Sequence, residues 1–284
     1  TSVGVDRVRL TGGEPLLRKD LASLVRTLVD KSEIHDIALT TNGLLLNTHA
    51  AELHTAGLHR LTVSLDTLQE HRFKELTRFE GVSLVQEGIA AATAAGFSNL
   101  KIDTVVIRDV NDDELFDLLR YAHSVGAEIR FIEYMDVGGA TRWSTNNVVS
   151  RVEMLDRIAK QFGAVAPIEE VSSAPADRFR LQNGQTFGII SSTTEPFCRA
   201  CDRSRLTADG LWYLCLYART GTDLRKALRG GASTDELREL VRSVWTARGD
   251  RGAELRLTAE DRQSLIPIET LQKEPHLEMH TRGG

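Results

Sequence analysis

All three cysteines of this 284-residue sequence fall in one stretch, Cys198, Cys201 and Cys215, spaced C-x2-C-x13-C. Between the last two lies Leu206-Thr207-Ala208-Asp209-Gly210-Leu211-Trp212-Tyr213. It reads as two short strands around an Asp-Gly turn. A close pair of thiols with a third returned by a hairpin is a metal-ligand pattern. The bland alternative is three buried thiols acting as small hydrophobes. A disulfide is disfavoured by the odd count and by the lack of a signal peptide. Structural zinc takes four protein ligands, and His276 and His280 are the nearest candidates for a fourth. Iron–sulfur clusters are also held by thiolates, usually four. Three would leave one iron open to a substrate. Arg203 and Arg205, two apart on a strand-like segment, face one way beside the thiols and suit an anionic ligand. Taken alone, they read as a solvated edge.

Size and composition set the bounds. The chain is long enough for one large domain or two smaller ones. It is 41% hydrophobic and 26% charged, with a net charge of −5. That mild acidity argues against nonspecific nucleic-acid binding. No apolar run approaches the roughly 20 residues that span a bilayer, and no targeting or lipidation motif stands out. These features point to the cytoplasm, away from any membrane.

The elements that must carry the chemistry alternate. Strands are expected over 8–11, 37–41, 60–66, 101–107 and 128–135, and helices over 20–31, 48–56, 82–95 and 112–125. Asp20 opens its helix, and Gly57, Gly96 and Gly126 close theirs. Such alternation means βαβ units and a parallel sheet, either open or rolled into a barrel. Near Val137-Gly138-Gly139 the alternation stops. One more helix, 151–162, precedes a hairpin around Asn183-Gly184, the cysteine stretch and two helices at 224–228 and 234–248. The chain therefore divides at residue 140: an α/β part over 1–140 and a smaller α+β domain over 141–284.

In parallel α/β folds, ligands bind at the carboxyl ends of the strands, and unusual residues collect there. Thr11-Gly12-Gly13-Glu14-Pro15 follows the first strand, and its paired glycines let a ligand approach the backbone. Thr40-Thr41-Asn42-Gly43 follows the second, Ser64-Leu65-Asp66 the third, and Arg130 and Met135 mark the fifth. Lys101 opens the fourth, in an otherwise apolar run. Singly, these are a plain turn, a helix cap, a core methionine and a snorkelling lysine. Together, at successive strands, they mark a site.

With Leu16-Leu17-Arg18 after it, Thr11-Gly12-Gly13-Glu14-Pro15 resembles the radical S-adenosylmethionine superfamily. Adding Thr40 to Gly43, Val63-Ser64-Leu65-Asp66, Arg130-Phe131-Ile132-Glu133-Tyr134-Met135-Asp136, the cysteine element and the terminal Gly283-Gly284, the chain is similar to the GTP 3′,8-cyclase family of molybdenum cofactor synthesis. The resemblance runs from residue 3 to 284. It implies an incomplete (β/α) barrel of the radical SAM type, capped by the C-terminal α+β domain. It implies a lyase that takes hydrogen from the ribose C3′ of GTP, using S-adenosylmethionine cleaved at one [4Fe-4S] cluster, and joins C3′ to C8. A second [4Fe-4S] cluster, on Cys198, Cys201 and Cys215, would offer its open iron to the guanine. Arg203, Ser204 and Arg205 would touch GTP beside it, with Arg9, Lys101 and Thr40 as further contacts. Gly13, Glu14, Ser64 and Met135 would line the S-adenosylmethionine site. Arg130 would lie close to the substrate. Gly283 and Gly284 would reach into the pocket, in place of the idle terminus such a tail ordinarily is. Cyclic pyranopterin monophosphate synthase would act next, and a homodimer is one possible assembly.

The chain departs from the family in lacking the C-x3-C-x2-C loop of the first cluster, since every cysteine lies beyond residue 197. The sequence also starts almost at once with a buried-type strand. The expectation is an absent N-terminal piece of about 60 residues, roughly one strand–helix unit. That piece would carry an arginine the family uses for GTP. Without it the first strand is left as an edge, and these residues alone are not expected to start radical chemistry. A partial sequence, a trimmed chain or a degenerate paralogue would all explain the difference, and the intact remaining motifs favour the first. Two other functions compete: a non-catalytic nucleotide-binding module with structural zinc, and another radical SAM enzyme with an auxiliary cluster.

Overall fold

Alternation of side chains across the pleat builds the sheet of the protein. The computed structural model describes residues 1–284 except 138–142, 171–172, 199–200, 260–261, 275–276 and 282–284. Eight strands share one sheet: β1 (Arg7–Leu10), β2 (Asp36–Thr41), β3 (Arg60–Ser64), β4 (Leu100–Val106), β5 (Glu128–Glu133), β6 (Val165–Ile168), β7 (Asp177–Leu181) and β8 (Thr186–Ile190). The order is β1-β2-β3-β4-β5-β8-β7-β6. β1 to β5 and β8 run parallel, and β7 and β6 close the row antiparallel. The sheet is open, with β1 at one edge. This is the incomplete (β/α) barrel expected from the sequence.

Helices α1 (Leu21–Val29), α2 (Leu46–Thr55), α3 (Glu70–Thr77), α4 (Val82–Ala94) and α5 (Leu115–Ser124) fill the connections between β1 and β5. Helix α6 (Arg151–Phe162) follows. One face of the sheet packs on them through Leu39, Leu61, Ile102, Ile129, Phe131, Phe187 and Ile189, none of which meets solvent. Each such side chain contributes about 1.5–3 kcal/mol on burial. Helices α2 and α4 touch at Gly88, where a Cβ would lie 2.9 Å from the Leu46 Cβ of α2 and 2.7 Å from the Gly43 carbonyl oxygen just before it. Alanine there would force the helices apart.

Local signals mostly hold, with two differences. Asp20 does occupy the N-cap position of α1, yet its side chain makes no cap bond. It accepts instead from the Arg18 guanidinium at 3.0 Å. Helix α3 has no apolar periodicity strong enough to be read in advance. Its Glu70 accepts from the Gly81 and Val82 amides at 2.6 and 3.0 Å, capping α4 from outside.

The sheet does not stop at residue 140, where the sequence reading divides the chain. Strand β8 pairs with β5, Ile129 opposite Phe187 and Ile132 opposite Ile190. Phe179, Leu181, Phe187 and Ile189 join the same core as Ile129. Burial of this apolar hairpin against α5 and α6 draws it into the barrel sheet. Beyond it, β9 (Arg205–Leu206), β10 (Leu211–Tyr213) and β11 (Thr222–Asp223) form a small antiparallel sheet. The expected Asp-Gly turn is there, with Gly210 at φ +89°. Helices α7 (Leu224–Arg229), α8 (Thr234–Thr246), α9 (Gly252–Leu257) and α10 (Ile268–Lys273) follow. Trp245 of α8 stacks on Trp212 of β10. Among the described residues, no helix is long and apolar enough to cross a membrane.

Candidate active site

The other face of the sheet is polar. Pairing brings Thr40, Thr62, Lys101 and Glu128 into one row across β2 to β5. The next row toward the carboxyl ends holds Ser64, Asp103, Arg130 and Gly188. Arg9 donates from β1 to the hydroxyls of Thr40 and Thr62 at 2.9 and 3.2 Å. Arg60 pairs with Asp36, and Arg178 donates to Glu128. Arg9, Thr40, Ser64, Lys101 and Arg130, singled out from sequence, thus share one face. Thr62, Asp103, Glu128 and Arg178 were missed. Their period-2 alternation with core residues is the signal that could have found them.

Low solvation tunes this face. Burial and the neighbouring Arg130 charge bring Lys101 down to about 8, with Glu128 opposing. Burial pushes the Asp103 carboxyl up, against the pull of Arg130, Arg9 and Lys101. Arg130 is 7% exposed. Its Nε and the Asp103 Oδ1 are both buried and have no hydrogen-bond partner among the described residues. A cavity of about 740 Å³ opens here, lined by Arg60, Lys101, Glu128, Arg130 and Arg178. Its rim is Ser98-Asn99, Gly126-Ala127 and Asn183-Gly184, at the amino ends of the strands rather than the carboxyl ends.

At the carboxyl ends, Glu14 clasps two loops. Its carboxylate accepts from the Leu16 amide at 2.9 Å, the Thr41 hydroxyl at 2.7 Å and the Asn42 amide at 2.8 Å. A carboxylate has about four acceptor positions, so one stays open. Gly13 and Ser64 are exposed beside it, and Met135 is half-buried. Asp66 accepts from the Val105 amide at 2.8 Å. Burial raises its carboxyl to about 6, the Val105 bond opposing and Asp103 adding to the rise. A raised folded value means stability present below the unfolded pKa and lost as pH rises through about 6. Asp66→Asn should therefore melt higher than the parent at pH 8, with the gap narrowing as pH falls through about 6 and closed near pH 4, the unfolded value. Thermal unfolding at both pH values checks this, and a gap that does not vary with pH would refute it.

At the opposite end, Arg7 of β1 reaches Asp202 at 2.5 Å, and Ser173 donates to the same oxygen at 2.8 Å. This clasp docks the cysteine stretch at the amino end of β1. The Cys201 amide donates to the Cys198 carbonyl at 3.2 Å, one turn of backbone. Arg203 and Arg248 approach the Cys201 sulfur at 3.6 and 3.5 Å. Burial pushes that thiol up, but the Arg203 amide, the Arg203 charge and the hydrogen bonds from Arg248 and Arg203 outweigh it and hold it low. Cys215 accepts from the Tyr217 amide at 3.4 Å, and burial keeps its thiol high. Arg203 also lies over the Phe197 ring, 4.7 Å from its centre. Arg203 and Arg205 are half-buried while Ser204 is exposed, an alternation in step with the strand-like segment expected there. Among the described residues, no three His, Cys, Asp or Glu side chains are gathered as a ready metal site. The donor chemistry still fits an iron–sulfur cluster: three soft thiols, two with N–H groups aimed at sulfur. His276 and the expected Gly283-Gly284 contacts lie outside the described residues, as does the side chain of His280.

Two buried carboxylates hold the joint between sheet and cysteine stretch. Glu133 ends β5 and accepts from the amides of Arg151, Thr193 and Thr194 and from the Thr194 hydroxyl, all at 2.6–3.0 Å. Asp136, one residue past Met135, accepts from Arg256 at 2.7 Å, Arg262 at 3.0 Å and the Tyr217 hydroxyl at 3.2 Å. Neither carboxylate residue meets solvent. The link to Cys215 runs through Tyr217.

Comparison with known proteins matches the whole chain. Residues 1–122 fit the Radical SAM superfamily model, and 127–254 fit Molybdenum Cofactor Synthesis C. GTP 3′,8-cyclase 3 of Mycobacterium bovis is 52% identical over 100% of this chain and 76% of its own length. GTP 3′,8-cyclase 1 of Mycobacterium tuberculosis is 54% identical over 100% of this chain and 80% of its own. GTP 3′,8-cyclase of Xanthomonas axonopodis pv. citri is 43% identical over 92% and 78%. With an open parallel sheet, a polar face rich in cations and a three-cysteine hairpin docked at its edge, the chain belongs to the GTP 3′,8-cyclase family of the radical SAM superfamily.

Proposed function

We propose that the polar face and the cysteine hairpin together bind GTP for 3′,8-cyclisation. The observation that carries this is the diagonal row of Arg60, Lys101 and Arg130 in the cavity, cations on three successive strands, with Glu128 and Glu170 in the same lining engaged by Arg178 and Asp36 by Arg60. Such a row suits a triphosphate, because guanidinium and ammonium groups make strong charge-assisted bonds to phosphate oxygens. Arg9 and Thr40 extend it along β1 and β2, and Arg203, Ser204 and Arg205 would hold the other end of the nucleotide. Arg130 closes the pocket next to the reacting sugar, with the Gly283-Gly284 tail as a further catalytic contact. Gly13, Glu14, Ser64 and Met135 would receive S-adenosylmethionine at the carboxyl ends, with the open acceptor position of Glu14 turned to its amino group. Cys198, Cys201 and Cys215 would hold a [4Fe-4S] cluster, which supplies a Lewis-acidic iron for the base when bound. The product would pass to cyclic pyranopterin monophosphate synthase.

Anaerobic iron–sulfide reconstitution tests the cysteine assignment. It should give about four irons per chain, with Cys215→Ser losing them while the barrel stays folded. A chain that takes zinc and ignores iron would favour the structural-zinc reading instead.

A further inference from the structure

One buried group on the polar face has no role in that reading. Asp103 is the central residue of β4, paired with Ser64 of β3 on one side and Arg130 of β5 on the other. It stands one row above Lys101. A carboxylate among phosphate-binding cations weakens phosphate binding through like-charge repulsion, so it needs another reason to be there. Among the described residues its Oδ1 has no donor, and the Nε–H of its register partner Arg130 has no acceptor. A phosphate oxygen would satisfy Arg130 but cannot donate to Asp103. An ammonium would satisfy Asp103 but cannot accept from Arg130. A hydroxyl does both at once, accepting on oxygen and donating its proton.

Resting on the GTP reading above, we propose that Asp103 is a specificity residue that holds a ribose hydroxyl. Arg130 Nε donates to the same oxygen. The row order agrees: Arg60 and Lys101, two of the three triphosphate cations, lie below, while Arg130 and Ser64, the latter beside the S-adenosylmethionine loops, lie level with Asp103. A sugar held at this height faces the side from which its C3′ hydrogen must leave. Thr40 and Thr62 accept from Arg9 through their hydroxyl oxygens, so neither oxygen, unlike Asp103 Oδ1, is left without a partner.

Calorimetric titration of GTP, 2′-deoxy-GTP, 3′-deoxy-GTP and inorganic tripolyphosphate into the anaerobically reconstituted chain tests this. The parent should prefer GTP over at least one deoxy analogue by about 10- to 100-fold, the range for a hydrogen bond to a charged group. In Asp103→Ala the gap should shrink to within about threefold, with tripolyphosphate bound at least as tightly as before. Asp103→Asn keeps the shape and a weaker acceptor, so it should fall between, and it carries the test if the alanine variant does not fold. A parent preference that survives in both variants overturns the proposal while leaving the GTP reading standing. A parent that binds no GTP removes both.

Discussion

Asp136→Ala is expected to destabilise the protein by about 3–5 kcal/mol, the cost of removing one member of a buried ion pair. The carboxylate has no exposure, and its partners Arg256 and Arg262 retain 20% and 10% of theirs. Its loss would leave two guanidinium groups and the Tyr217 hydroxyl facing one another. The effect should extend to the metal site, because the Tyr217 amide donates to the Cys215 sulfur. Burial alone would raise the Asp136 carboxyl, but Arg262 and Arg256 hold it below the usual range. A depressed folded value means stability that is complete above the unfolded pKa, about 4. That stability is lost as pH falls through the lower folded value. Denaturant unfolding at pH 7 should show the deficit, and iron content after reconstitution should fall with it. An unfolding midpoint within error of the parent would mean that this joint does not couple the sheet to the cysteine stretch.

Lys101→Ala should weaken GTP binding by about 10- to 100-fold through loss of one charge-assisted contact. Its low value near 8 adds a pH signature. Below 8 the ammonium is already charged and phosphate binding needs no extra proton. Above 8 the free chain must take one up, so affinity should fall as pH rises to about 9.5. Lys101→Arg carries a permanent charge and should bind with little change over that interval. Titrations at pH 7 and 9.5 separate the cases. A parent affinity that is flat with pH, or an alanine variant that binds like the parent, would place the triphosphate elsewhere.

The first five strands and their helices were legible because apolar periodicity and the positive-φ glycines Gly57, Gly96 and Gly126 act within a few residues. The cysteine hairpin was legible for the same reason. Strand β8 reads from sequence as half of a hairpin, but its place beside β5 depends on a core assembled from residues about 60 apart. The polar face was half visible. Lys101 stood out as a cation in an apolar run, whereas Asp103, two residues on, reads as an ordinary surface acid until parity places both on the same side. The Asp136 joint was out of reach, since its partners lie 81 to 126 residues away. Glu14 reads from sequence as an ammonium contact, and its first use in the structure is to tie the β1 and β2 loops together.

In the proposed site, the polar face of the sheet and the cysteine hairpin hold one nucleotide between them. That arrangement is tested most directly by titrating GTP into reconstituted Arg130→Ala and Arg205→Ala chains of equal iron content. Each change should weaken GTP by about tenfold or more, because a single nucleotide touches both regions. Parent-like affinity in either variant, with iron retained, would mean that no single nucleotide spans the two regions.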